Sequence, residues 1–562
     1  MGNLTEQQTQ FIAKSVIKCC RDPKNSGYME DGGRYLINLE YEELGYMLLD
    51  LETKQSIYSV VDTVVYSYKE CMFCSFPLNR SMSKRGAGGG VPAHYVGIWL
   101  RFNISDKMLD DDYCRNTLAE FDRISALADD SWTDLEKALF FHDYLSTYYN
   151  YDFDTLDREN NVDMEMEAPE PDMAEPDNGS AHYAYSFLNE KRGVCQAYAW
   201  LYNLLLNDNG VESYFVSAEE MNHAWNLVKI DGQFYHVDVT WDDQGEGVQP
   251  GSKPRGVLPG DRLLGYAGQV SHDRFLRSTN GLLGEGDYHG SSEDWITSLG
   301  ESAFDLADSA QMDTGFWHEA KSIIVPYLGG WLVKTYDPED MSSPKERVLY
   351  QLYTREKDGD YTGTQLFVEQ SLWEAKIMNE KGVATKKYAI DNKSTFCMIG
   401  KVAIYTVGGG TGLQFAYCMD ESNPAASMDT HRYVSGYALG LDPDYKIYGL
   451  CIEDDAQDDT LRLFTAPNII DAPVEIDVSI SELLAGMGLQ TSDELMNPSP
   501  VAGDVSGDGE MDVTDVIHMT RYLLGTKKIE DADAFERMDL VNDGVIDIYD
   551  LAKLKWMLIH KK

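Results

Sequence analysis

Apolar positions along the chain change their spacing between Gly193 and Trp241, and that change predicts a helix followed by three strands. From Cys195 through Ala199, Leu201, Leu204 and Leu205 the apolar residues recur at steps of three and four, and Asn209-Gly210 is a helix stop. Cys195 therefore sits at or near a helix N-terminus, where the partial positive charge of unpaired N–H groups favours thiolate over thiol. Val211–Ser217, Ala224–Ile230 and Gln233–Trp241 read as strands, with Asp231-Gly232 as a two-residue hairpin turn. That turn pairs Ile230 with Gln233, Trp225 with Asp238 and His223 with Thr240. His223 and Asp238 then share one sheet face as diagonal neighbours roughly 7–8 Å apart. The other face collects Val228, Ile230, Tyr235, Val237 and Val239 as core.

Elsewhere the pattern predicts an amphipathic helix over Met1–Cys20, strands over Ile57–Tyr68 and Tyr95–Phe102, and a flexible Gly86–Gly90 connection. Thr133-Asp134-Leu135-Glu136 opens a helix with a capping box, running through His142-Asp143-Tyr144-Leu145 to Tyr151-Asp152. Asp152–Ser180 is acidic, carrying Glu165, Glu167, Glu170, Asp172, Glu175 and Asp177, and reads as a solvated loop or a charged lid before the cysteine helix. From Lys321 to Leu463 three hairpin units recur, at Gly329-Gly330, at Gly408-Gly409-Gly410 and at an acidic turn within Tyr445–Phe464. They predict a β-rich meander or propeller-like region.

A cysteine, a histidine and an aspartate brought together make a nucleophile, a base and an orienting acid. The bland alternatives are a buried inert cysteine and a hairpin with a surface histidine. His236 lies on the same face two residues from Asp238, so spacing alone leaves either histidine as the base. The segments Gly193-Val194-Cys195-Gln196-Ala197-Tyr198-Ala199, Asn222-His223-Ala224-Trp225-Asn226 and Val237-Asp238-Val239-Thr240-Trp241-Asp242-Asp243 resemble the three motifs of the transglutaminase-like superfamily. The resemblance implies a papain-like site with Cys195, His223 and Asp238 in the catalytic positions. His142 and Ser271-His272-Asp273-Arg274-Phe275-Leu276 resemble flanking elements of the bacterial members, which makes both histidines structural.

A second pattern lies at the end of the chain. Asp504, Ser506, Asp508, Asp512 and Asp515 set oxygen ligands at loop positions 1, 3, 5, 9 and 12, with Gly509 at position 6 and the Glu510 carbonyl at 7. Asp539, Asp543, Asp547 and Asp550 repeat the loop with Gly544 and the Val545 carbonyl, but Val541 leaves position 3 without a side-chain oxygen. Each loop leads into an apolar helix. The pair resembles a type I dockerin over Asp504–Lys562. That resemblance implies two calcium ions, the second site weaker, and docking to a cohesin of a cellulosome scaffold. The helix-start pairs Val513-Thr514 and Ile548-Tyr549 would contact that partner, and their difference implies one preferred docking orientation.

Composition narrows the setting. The net charge is −47 over 562 residues, which argues against nucleic acid and anionic membrane surfaces as partners. No apolar run is long enough to span a bilayer. Nine cysteines include one Cys71-x-x-Cys74 without a matching second pair, so neither a zinc site nor a disulfide framework is expected. The start lacks a signal-peptide pattern, so with a dockerin the chain is expected to be secreted and cellulosome-bound, its signal absent from this sequence.

The expected fold class is multidomain α+β. An N-terminal α+β region covers 1–130, a transglutaminase-like (papain-like) catalytic domain 131–290, a β-rich hairpin or propeller-like domain 291–480 and a linker 481–503. A small all-α calcium-binding dockerin covers 504–562. The expected activity is that of a cysteine hydrolase or peptidase acting on a protein or peptide substrate through a Cys195 acyl-enzyme. The alternatives are a crosslinking transglutaminase and a non-catalytic member of the complex.

Overall fold

The structure, a computed structural model, describes residues 4–23, 28–30, 34–40, 42–75, 80–102, 112–152, 155, 180–243, 270–284, 289, 294–320, 322–336, 348–357, 359–369, 373–378, 384–389, 396–407, 412–452, 460–467, 474–486, 503, 505, 511, 513–524, 537–538, 540 and 546–560. The acidic stretch with Glu165 to Asp177, the Gly408–Gly410 turn and most of the C-terminal loop ligands lie outside these residues.

The chain opens with a helix, Glu6–Arg21, whose Thr5 and Gln8 form a reciprocal capping box. Its Ile12, Val16, Cys19 and Cys20 face the interior. The next long element corrects the sequence expectation. Residues Leu51–Ser67 form a helix, not a strand. Ile57, Val60, Val61, Val64 and Val65 are β-branched or strand-prone in type, but their 3-1-3-1 spacing puts all five on one buried helical face. Period outweighs propensity here. His94–Arg101 is the centre of a sheet with Arg34–Asn38, Met47–Leu48 and Arg80–Arg85 as its partners.

The capping box at Thr133 and Glu136 forms as expected, and the helix it starts runs Asp134–Tyr148. It stops short of Tyr151, because Asn150–Tyr151 instead pairs with Arg192–Gly193 in parallel. The cysteine helix, Cys195–Asp208, packs on a four-stranded antiparallel sheet ordered Gln233–Val237, His223–Ile230, Ser213–Ala218 and Ile296–Thr297. The Asp231-Gly232 turn is as expected, with φ of 50° and 81°, the two positive values of a type I′ hairpin. Register also holds from Gln233↔Ile230 to Val237↔Asn226. The strand ends there. Asp238 caps a short helical turn, Val239–Asp242, so the expected strand to Trp241 is cut by that cap.

One hydrophobic core runs from Ile12 through Val65, Leu139, Trp200 and Val228 to Val333. It is stitched by polar bonds: Trp200 Nε1 and Asn203 Nδ2 donate to the carbonyls of Val65 and Tyr66 at 3.3 and 2.7 Å.

From residue 325 onward the described strands form three antiparallel meanders and a separate two-stranded pair, Trp373–Met378 with Ala384–Ala389. One is Val325–Tyr327, Gly330–Tyr336, Val348–Arg355 and Tyr361–Glu369. A second is Phe396–Ile399, Val402–Val407, Gly412–Cys418 and Met428–Ser435. A third is Lys446–Ile452, Thr460–Ala466 and Val474–Ser479. The expected hairpins fall within them. At the C-terminus, helices Val513–Leu523 and Ile548–His560 share a small core that includes Met519, Leu551 and Leu554. Among the described residues, no helix is long and apolar enough to cross a membrane.

Sequence spacing hid one grouping. The Cys20 and Cys74 thiols lie 3.9 Å apart, with Cys71 also against Cys20. Burial pushes the Cys19 thiol up to about 12 and raises Cys20 and Cys71 as well.

Candidate active site

Gly193 places the cysteine. A Cβ there would stand 2.7 Å from Phe187 and 2.9 Å from the Ala181 carbonyl, so only glycine lets the chain pass. The next residue, Val194, donates its N–H to that carbonyl at 2.9 Å and serves as N-cap. No side chain caps this helix, which leaves its first-turn N–H groups to favour an anion at Cys195. Cys195 is 4 % exposed, and its thiol donates to Gln196 Oε1 at 3.1 Å.

Asn226 Nδ2 donates to the Ala199 carbonyl at 2.9 Å, which fixes the histidine strand against the cysteine helix. Asn222, with φ of 47°, turns the chain into that strand so that His223 begins it beside Cys195. His223 Nε2 donates to Asp238 Oδ2 at 2.7 Å. Its Nδ1 is then the nitrogen that Asp238 does not use, and the Cys195 sulfur lies close enough to act on the imidazole's charge. Trp241 and Trp225 stack on the ring at 5.0 and 5.7 Å between centroids.

Electrostatics follow from these contacts. Burial alone would lower His223, but the Asp238 carboxylate and the Cys195 sulfur outweigh it and carry the imidazole up to about 10. Burial would raise Asp238, yet the His223 and His289 imidazoles hold it well below the usual carboxylate range. The arrangement thus favours the imidazole as the place where the proton given up by Cys195 resides.

His236, which spacing left open as the base, is excluded by its partners. Trp225 Nε1 donates to His236 Nδ1 at 3.0 Å, and His236 Nε2 donates to Thr279 Oγ1 at 3.1 Å. Both nitrogens are occupied as in a neutral ring, and burial drives its pKa down to about 3.

Sequence reasoning missed His289. It lies beyond the Gly/Pro-rich loop, with no motif around it, yet its Nε2 donates to Asp238 Oδ2 at 3.1 Å. His142 and His272, expected to be structural, are buried and meet on one carboxylate. Both sit 2.8 Å from Asp143 Oδ1, and Ile324 N–H donates to the other oxygen. His142 Nε2 also reaches Asp242 Oδ2 at 3.3 Å, and Asp242 closes the helical turn that Asp238 opens. This network braces the turn from beneath.

In the C-terminal module Asp515 and Asp550, the two position-12 residues, are both buried although each lies in a helical first turn. Carboxylates buried at matching places in two loops of oxygen donors suit a hard cation such as calcium. Of the remaining loop ligands, Asp547 is described, whereas Asp504, Ser506, Asp508, Glu510, Asp512, Asp539, Asp543 and Val545 lie outside the described residues. Ile548 and Tyr549 are 61 % and 69 % exposed, and Thr514 is half-buried.

Residues 124–239 match the family model described as the transglutaminase-like superfamily, and residues 502–559 match that of the type I dockerin domain. No curated protein matches the chain. Among similar solved structures, one described as a TGase is 15 % identical, over 31 % of this chain and 47 % of its own, with a TM-score of 0.18. Another, from Cytophaga hutchinsonii and described as a candidate cysteine protease, is 12 % identical over 29 % and 64 %, with a TM-score of 0.13. The chain thus spans about half the length of the first and under two thirds of the second. It carries a transglutaminase-like core domain at residues 124–239 and a type I dockerin domain at residues 502–559.

Proposed function

We propose that this is a secreted cysteine hydrolase that cleaves peptide or amide bonds and is held on a cellulosome scaffold by its dockerin. The observation that carries the reading is the 2.7 Å bond between His223 and Asp238, with the Cys195 sulfur close enough to act on the charge of the same imidazole. Cys195 attacks the carbonyl carbon, its proton having passed to His223 Nδ1. His223 returns that proton to the leaving amine, and water then releases the acid from the thioester. An amine in place of water would give a crosslink instead. A proteome-derived peptide library tests this: new N-termini are expected. Mass gain from an added amine, with no cleavage, would replace hydrolysis by crosslinking, and neither product would leave the non-catalytic reading.

The five-part division of the chain belongs to the same proposal, its propeller-like 291–480 region supported by the antiparallel meanders, although its borders near 130 and 290 lie within the one shared core. Type I dockerin domains generally bind calcium and imply a cohesin partner. Two calcium ions are proposed here, held by Asp504, Ser506, Asp508, Asp512 and Asp515 and by Asp539, Asp543, Asp547 and Asp550, with the Glu510 and Val545 carbonyls. Val513, Thr514, Ile548 and Tyr549 are the proposed cohesin contacts. Ligands scattered in an unfolded chain cannot form such a cage, so folding and calcium binding are linked. Chelation is expected to unfold residues 504–562 and abolish cohesin binding while Cys195 keeps its reactivity. Calorimetry with a cohesin, run beside thiol labelling, reads both. Retained binding in excess chelator would contradict the calcium assignment.

A further inference from the structure

We propose that His289 is a positioning residue of this site, fixing the Asp238 carboxylate so that it can hold His223 as the partner of Cys195. The inference rests on the cysteine-nucleophile reading above and adds to it a residue that lies outside the three motifs.

Asp238 is held on both oxygens. Oδ1 accepts the Trp241 N–H at 3.1 Å, and Oδ2 accepts His223 Nε2 at 2.7 Å together with His289 Nε2 at 3.1 Å. All three side chains are buried, so water does not replace a donor that is lost. A buried carboxylate stays ionised only when donors repay its desolvation. His289 supplies one such donor. Its ring lies 4.1 Å from Trp241 and meets Trp225 edge-on at 5.5 Å, so aromatic walls set the direction in which its N–H points. The titratable and charged groups around it include Asp238, His223 and His236, with Arg274 stacked over Trp241 at 5.3 Å.

The same three ligand atoms lie within 4.8 Å of one another, a spacing that invites comparison with a metal centre. Two ligands on a tetrahedral ion at roughly 2.0–2.1 Å would stand about 3.3 Å apart. The observed 2.7 and 3.1 Å are hydrogen-bond separations, which favours protons between these atoms.

Without the His289 donor the carboxylate is less fixed and less readily ionised. It then stabilises the His223 imidazolium less, and the Cys195 thiolate with it. The test uses the full chain and the rate of Cys195 alkylation by iodoacetamide against pH, with H289F, H289Q and H223A compared. H289F keeps a ring and lacks the donor, whereas H289Q keeps an N–H. We expect H289F to shift the acid limb of the profile upward by about one pH unit and to slow alkylation near neutral pH roughly tenfold, the scale on which outer partners of a site act. H289Q should restore most of both.

If H289F lowers only the melting temperature and leaves the profile unchanged, or if H289Q fails to rescue, the proposal is overturned. A wild-type profile that moves on addition of chelator would make the group a metal site and overturn it as well. Should H289F not fold, H289A with and without added imidazole gives the same reading, rescue being the expected result and its absence the contrary one. The outcome for the underlying reading is separate. A profile indifferent to H223A would remove the Cys–His coupling itself, whereas an H223A effect with an inert His289 would remove only this residue.

Discussion

Cys195→Ala is expected to reduce turnover of any peptide substrate by on the order of 10⁴–10⁶-fold, the scale seen when a covalent nucleophile is removed. The melting temperature should barely move. Alanine keeps the Cβ that packs at the helix start, and beside its influence on His223 the thiol bonds to Gln196 Oε1 at 3.1 Å and, at a long 4.0 Å, to the Asn222 carbonyl. Iodoacetamide labelling at mildly acid pH should vanish with activity. The thiols of Cys19, Cys20 and Cys71 add little background there, because burial raises their pKa values and keeps them protonated. A variant that retained turnover would place the chemistry elsewhere.

Asp238→Asn should lower turnover by roughly 10⁴-fold, as expected where a neutral amide replaces the carboxylate behind a catalytic imidazole. Stability should fall too. The substitution leaves a buried imidazole without its counter-charge, a loss of about 3–5 kcal/mol when one member of a buried pair is removed. The pH dependence has a definite sign. His223 rises to about 10 in the fold, so its contribution is complete below the unfolded value near 6.5 and is lost as pH rises toward 10. Asp238 is depressed, so its contribution is complete above the unfolded value near 3.9 and is lost as pH falls through its folded value. The stability gap between wild type and variant should therefore be widest between about pH 4 and 6.5. Chemical denaturation across pH measures it, and a gap that is flat from pH 5 to 10 would deny the charged pair.

The histidine–aspartate pair was legible because a two-residue turn fixes register, and register fixes which side chains share a face. Asp231 and Gly232 carried that register as far as Val237, and the motif resemblance carried the assignment of His223 and Asp238 to the site. The end of the strand was less legible, since Asp238 serves as both strand terminus and helix cap, and only its bond to Trp241 N–H reveals the second role. The helix Leu51–Ser67 was misjudged by residue type although its spacing held the answer. His289 and the Cys20–Cys74 approach were not legible at all. Both are contacts between segments separated by 51 and 54 residues, and no local pattern encodes where such segments meet. Spacing alone left His223 and His236 open; the motif resemblance selected His223, and the tryptophan and threonine that occupy His236 add what spacing could not show.

The shared interior from Ile12 to Val333 bears on how this protein could be rebuilt or its parts exchanged between proteins. A graft that carried only residues 124–239 would strip the partners from Trp200 and Asn203, whose donors end on the Val65 and Tyr66 carbonyls. On the far side it would leave Asp143 without the Ile324 N–H and Glu136 without Trp331. A piece that keeps these bonds must begin before Val65 and end after Trp331, and keeping the shared core whole extends it from before Ile12 to past Val333, so the cysteine site travels with its surroundings or not at all.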